Sequence, residues 1–211
     1  VRALRGTPKA HCTMLINMTH LTILQDKIAD EVDEYMNEIR SAAEFSLGYP
    51  VEIAISKSRV IEDLQDSFYK YYAIKESFEE VYQHLKRAIG KTKAFAVHGK
   101  SSESLDYSAY KANGLSAIVI GGHKLSRGLT LEGLTVSYFT RNSKTYDTLM
   151  QMCRWFGYRP GYKDLCKLFI TAESYEWYEN KKKTNQLFFF ANTLTWLFLT
   201  LFFQKIFFSP R

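Results

Sequence analysis

The chain has 211 residues, 46% hydrophobic and 24% charged, a globular composition that excludes a disordered or collagen-like chain and permits a core without metal or disulfide support. Lys plus Arg number 28 against 22 Asp plus Glu, and the resulting net charge of +6 suits an anionic partner such as nucleic acid or a nucleotide without demonstrating one. Cys12, Cys153 and Cys166 form no C-x-x-C pair, so neither a disulfide framework nor a Cys-rich zinc site is supported and a reducing, cytoplasmic setting is expected.

The chain opens at Val1 with no apolar run behind its basic residues, so no signal peptide is read and the chain is expected to be the middle of a longer protein. T-M-L-I-N-M at 13–18 is an apolar run of buried-strand length. Thr22 and Gln25 form a capping-box pattern, and Leu24, Ile28, Val32, Tyr35, Ile39 and Ala43 recur at helical spacing. Gly48 and Pro50 break that helix. From Ser58 to Ile89 the pattern is helical again, through Leu64, Phe68, Tyr71 and Tyr72, with a restart at Ser77 and then Val81, Leu85 and Ile89.

Four further strands follow, at 94–98, 116–120, 135–140 and 166–171, with crossover helices expected at 101–112 and 145–156. The strands are nearly continuous in apolar character, as strands covered on both faces are. Alternation of strand and helix predicts an α/β fold with a parallel sheet flanked by helices, and a mainly helical insertion at about 45–92 between the first and second strands. The expected organisation is one domain over 10–175, followed by a charged segment and apolar tail at 176–211. Residues 184–204 carry no charge and are about the length of a membrane-spanning helix. A membrane anchor, a buried helix and translation out of the natural frame all compete there. The last is favoured, because the change in composition is abrupt.

The stretch richest in chemistry is GGHKLSRGLTLEGL at 121–134, directly after a strand. Gly121 and Gly122 let the backbone approach a ligand closely, and Ser126, Arg127 and Gly128 offer a hydroxyl, a planar cation and amides in a tight turn. At the carboxyl end of a parallel strand this combination suits phosphate; the alternative is a Gly-rich turn whose Arg127 pairs with Glu132. Further on, Gln151, Arg154 and Arg159 interleave with Trp155, Phe156 and Tyr158. Arginine presents a rigid fork of donors matched to phosphate oxygens; the alternative is a surface cluster covering aromatic core.

In order, these segments resemble the second RecA-like domain of superfamily 2 helicases, of the P-loop NTPase type. A-V-H-G-K-S-S at 96–102 looks like the strand and turn carrying a nucleic-acid-contacting His-Gly pair, here His98 and Gly99. I-V-I-G-G-H-K-L-S-R-G-L-T-L at 118–131 aligns with motif five, and Q-M-C-R-W-F-G-Y-R at 151–159 with motif six. A narrower resemblance covers roughly 10–175: SRGLTLEGL and YDTLMQMCRWFGYRPGY look like the Z-one domain, a helicase-associated module of large bacterial proteins often labelled endonucleases. Cys153 stands where Gly precedes the first motif-six Arg, and His123 and Thr130 replace two Asp residues of motif five. Gly122 replaces the Thr of motif five, and Trp155 to Tyr158 separate two arginines that the helicase motif places closer together.

The resemblance implies an ATP-dependent, helicase-like protein acting on DNA. ATP, with Mg²⁺ held by an upstream ATPase domain, would contact Arg154, Arg159 and Gly128, with Gln151 orienting the helix or a water. Gly122, Ser126 and Arg127, with His98 and Gly99, would touch a nucleic-acid backbone. By itself this segment is expected to be inactive. The motor of a restriction-like endonuclease and a non-catalytic interaction module, membrane-tethered only through 184–204, are the alternatives.

Two sequence coincidences are set aside. Gly90, Lys91 and Thr92 imitate the end of a phosphate-binding loop, but Leu85 occupies the position of its first Gly and the run precedes a strand. Asp164, Glu179 and Lys181 imitate a nuclease spacing, while His11, Cys12 and His20 match no recurrent zinc pattern.

Overall fold

The computed structural model describes residues 1–18, 21–46, 48–98, 105–122, 130–140, 160–172 and 175. Strand β1 (Cys12–Asn17) leads into the long helix α1 (Thr22–Phe45). Four shorter helices follow, α2 (Val51–Lys57), α3 (Arg59–Tyr71), α4 (Phe78–Tyr82) and α5 (Leu85–Gly90). Then come β2 (Thr92–Val97), β3 (Ser116–Gly121), β4 (Leu134–Phe139) and β5 (Lys167–Phe169). The strands form one sheet in the order β2-β3-β1-β4-β5, and every neighbouring pair is parallel. This is the α/β sheet flanked by helices that the sequence predicts, and it is consistent with a RecA-like arrangement.

Both sheet faces are apolar because successive side chains of a strand point to opposite sides. Met14, Ile16 and Met18, with Ile118 and Ile120, pack against Ile28, Val32, Met36, Ile39 and Ala43 of α1. Those α1 positions recur every three or four residues, which keeps one stripe of the helix against the sheet. On the opposite face Leu15, Val119, Phe95 and Val97 pack with Tyr107, Leu131 and Phe139. A third cluster, Val51, Ala54, Ile61, Phe68 and Phe78, holds α2–α4 together, and Leu64 and Leu85 belong to both this cluster and the α1 layer.

Local signals were followed unevenly. The helix restart expected at Ser77 is observed, and Ser77 forms a capping box on α4: its hydroxyl accepts from the Glu80 amide at 3.2 Å, while its own amide donates to the Glu80 carboxylate at 2.7 Å. The box expected at Thr22 and Gln25 does not form. Leu21 takes the extended cap conformation without a side-chain cap bond, Thr22 is already helical, and Gln25 is buried in the core. The crossover helix expected at 101–112 is also absent from its described part, 105–112, which holds one 3-10 turn, Ser108–Tyr110. Asp106 there accepts bonds from the Ser108 amide and hydroxyl, a local pattern that competes with helix. Tyr107 anchors the segment by a 2.8 Å bond between its hydroxyl and that of Thr13 on β1. The helix expected at 145–156 lies outside the described residues.

Arg5 ties the amino-terminal arm to two distant segments. Its Nε and Nη2 donate to Glu76 at 2.5 and 2.9 Å, and Nη1 and Nη2 donate to Asp164 at 2.7 Å each. The Arg5 hydrogen bond is the main cause that pulls the Glu76 carboxyl down to about 2 from 4.5, and Asp164 is lowered by the same guanidinium. A depressed carboxylate adds stability above its unfolded pKa and loses it as pH falls through the folded value. Arg5→Ala is therefore expected to cost about 1–2 kcal/mol at neutral pH. The gap to wild type should narrow as pH falls from 4.5 towards 2. Urea unfolding at neutral and strongly acid pH measures this; an equal gap at both would refute the coupling.

Candidate functional site

The strands end together in register. Asn17 pairs with Gly121 on one side and Phe139 on the other, and Val97 also aligns with Gly121. One residue further on, Met18, His98, Gly122 and Thr140 line the carboxyl edge of the sheet. The Met18 amide donates to the Gly121 carbonyl at 2.9 Å, and the Thr140 amide to the Asn17 carbonyl at 3.0 Å. Asn17, Gly121 and Gly122 are buried at this edge.

The connections leaving two adjacent strands part here. After β1, helix α1 covers the face of Ile16 and Met18, whereas Leu131, in the connection from β3 to β4, packs on the face of Leu15 and Val119. Neighbouring strands whose connections diverge leave a crevice at their carboxyl ends, where open parallel sheets bind ligands. Asn17, Gly121 and Gly122 form the base of that crevice. The two glycines bring bare backbone to this edge.

His98 stands just beyond β2 and is buried, with its Nε2 2.7 Å from the Asp26 carboxylate of α1. Asp26 begins a stripe along α1 that secures the edge strand. Asp33, seven residues later, accepts from the Ala94 amide at 3.3 Å, and Arg40, seven beyond that, donates to the Thr92 carbonyl at 2.6 Å. Seven residues are close to two helical turns, so all three lie on one side of α1. Sequence reading found His98 but missed Asp26 and Asn17; the D-x6-D-x6-R spacing was the available signal for the first. Asp26→Ala is expected to lower stability by about 0.5–1 kcal/mol, the worth of one hydrogen bond to a half-exposed carboxylate. A urea midpoint indistinguishable from wild type would deny this bond any role in holding His98.

Gly99, Ser126, Arg127, Gly128, Gln151, Arg154 and Arg159 lie outside the described residues. So do His123, Cys153 and the apolar stretch 184–204. Among the described residues no helix is long and apolar enough to cross a membrane.

The rejected coincidences take structural roles. Gly90 ends α5 and Thr92 opens β2, while Lys91 between them donates to the Asn113 carbonyl at 2.7 Å, so this run presents no phosphate cradle. Asp164 is engaged by Arg5, and Glu179 and Lys181 lie outside the described residues. His11 accepts from the Leu115 amide at 3.0 Å through Nδ1, and its Nε2 lies 3.7 Å from Glu132. His20 and Arg127, the partner considered for Glu132, lie outside the described residues. No group of three or more His, Cys, Asp or Glu among the described residues could hold a metal ion.

Fold and edge together define an α/β domain with a parallel sheet and a candidate ligand site at the carboxyl ends of its strands. The family model of the Z1 domain matches residues 1–189, and the chain belongs to that family. No curated protein matches the chain, and no solved structure does.

Proposed function

We propose that this chain serves a cytoplasmic, ATP-dependent, helicase-like protein that processes DNA, contributing one wall of an ATPase cleft whose other wall is a partner ATPase domain of the same protein. The observation that carries this reading is the common origin of the three candidate strings. Strands β2, β3 and β4 of the parallel sheet end at one edge, just before His98, Gly122 and Thr140, and the strings with His98–Gly99, Ser126–Arg127–Gly128 and Gln151–Arg154–Arg159 follow these strands in the sequence. Strings scattered over both edges could not serve one cleft.

In this reading Arg154 and Arg159 reach the β- and γ-phosphates of ATP, and one acts as the arginine finger that stabilises charge in the transition state. Gln151 orients the helix or a water at the same cleft. Gly128 places a backbone amide near the nucleotide. Gly122, Ser126 and Arg127, with His98 and Gly99, hold a nucleic-acid backbone, which fixes position without reading sequence. Mg²⁺ belongs to the partner domain. The net charge of +6 agrees with a polyanionic partner. ATP turnover opens and closes the cleft, so the strand is gripped differently in each state. The test is the DNA-dependent ATPase rate of the intact protein against its Arg154→Ala and Arg159→Ala variants.

A further inference from the structure

At the opposite edge of the sheet, the amino ends of β1, β3 and β4 border a cavity of about 360 Å³, lined there by Cys12, Ser116 and Thr135. Its apolar walls include Phe68, Tyr72 and Leu85 from the helical segment, together with Leu165 from the turn before β5. The volume falls within the range of about 300–1,000 Å³ typical of small-molecule sites.

The charged groups around this hollow share one sign. Arg2, Arg87 and Lys91 line it, with the His84 imidazole beside them, and no Asp or Glu is among its described lining residues. Lys91 is engaged by the Asn113 carbonyl, and Arg2 donates through Nη1 to the His11 carbonyl while its guanidinium stacks 4.2 Å from the Tyr162 ring centroid. The side chains of Arg87 and His84 make no hydrogen bond or ion pair among the described residues. Cations around an apolar hollow repel one another. An anion with an apolar body would relieve that repulsion. Its head would meet the cations while its body replaced water against Phe68, Tyr72 and Leu85.

We propose that this cavity is a binding site for a small amphipathic anion, an aromatic or branched aliphatic body bearing one carboxylate, sulfonate or phosphate group. The site lies at the opposite edge of the sheet from the proposed ATPase cleft and stands whether or not that proposal does. Bound between the amino-terminal arm, the helical segment and the sheet, the ligand would bridge three parts of the chain.

The intact protein is titrated with 2-naphthalenesulfonate by calorimetry, with 2-naphthalenemethanol and inorganic sulfate as the neutral and headgroup-only comparisons. The sulfonate is expected to saturate one site, with each comparison binding about tenfold more weakly or worse. Arg87→Glu should weaken the sulfonate by about tenfold or more through charge reversal. Ala88→Trp, at an exposed lining position, should weaken it by obstructing the rim. Arg87 is exposed and has no internal partner, so its variant should keep the wild-type urea midpoint. Absence of saturation at millimolar sulfonate would overturn the proposal. Equal affinity for the neutral alcohol would overturn the anion class, and unchanged affinity in both variants would place the probe elsewhere and overturn the site.

Discussion

Alanine at Arg154 or Arg159 is expected to lower DNA-stimulated ATP turnover of the intact protein by about 10³–10⁵-fold for the residue that acts as the finger, with ATP binding nearly unchanged. The asymmetry follows from where charge develops. In the proposed cleft, ground-state affinity would come mainly from the phosphate loop and metal of the partner domain, whereas the finger would meet oxygens whose charge grows in the transition state. Loss of that contact therefore appears in kcat and scarcely in nucleotide affinity. Lysine should rescue poorly, since an ammonium cannot reproduce the planar two-donor fork of a guanidinium. Turnover unchanged in both variants would leave the likeness to helicases one of fold only, and the interaction-module reading would then lead.

Gly133→Ala is expected to produce the largest loss of stability of any single small substitution outside the apolar core, about 3–5 kcal/mol from a disallowed backbone conformation together with overpacking. Gly133 has φ +65, and a Cβ there would lie 1.8 Å from the His11 carbonyl oxygen and 2.6 Å from its carbon. Neither side can give way easily. The Gly133 carbonyl accepts from the Thr13 amide at 3.0 Å, and the neighbouring Glu132 carbonyl accepts from the Thr13 hydroxyl at 2.7 Å, so the turn is bonded to the start of β1. The register between β1 and β4 shifts at this point, between Thr13 and Met14. Gly161 provides the comparison, because its φ is +80 but a Cβ there would meet nothing within 4 Å. Gly161→Ala should carry only the conformational cost, about 1–2 kcal/mol. Urea unfolding of both variants measures the difference; equal losses would show that close backbone approach at Gly133 is immaterial.

Much of the architecture was legible because its signals are local. Five apolar runs marked the strands to within a few residues, since a strand buried on both faces must be apolar at nearly every position. The stripe Ile28, Val32, Ile39 and Ala43 marked α1 through the helical repeat, and the restart at Ser77 marked the start of α4. The failures were local signals overruled by packing. Gln25 could have capped a helix end but was taken into the core, and 105–112 was held as a turn by Asp106 and by Tyr107 docking on Thr13.

The sequence by itself determined the alternation of strand and helix, the parallel α/β class and the resemblance that led to the Z1 domain, because each is carried by residues close together in the chain. Tertiary structure alone decided the order β2-β3-β1-β4-β5, the pairing of His98 with Asp26, and the meeting of Arg5 with Glu76 and Asp164. It also decided that the strand ends carrying the candidate strings share one edge while a cation-lined cavity occupies the other. These are contacts between residues tens of positions apart or more. No short-range pattern encodes them, and they arise only when the summed burial of both sheet faces selects one arrangement of the strands.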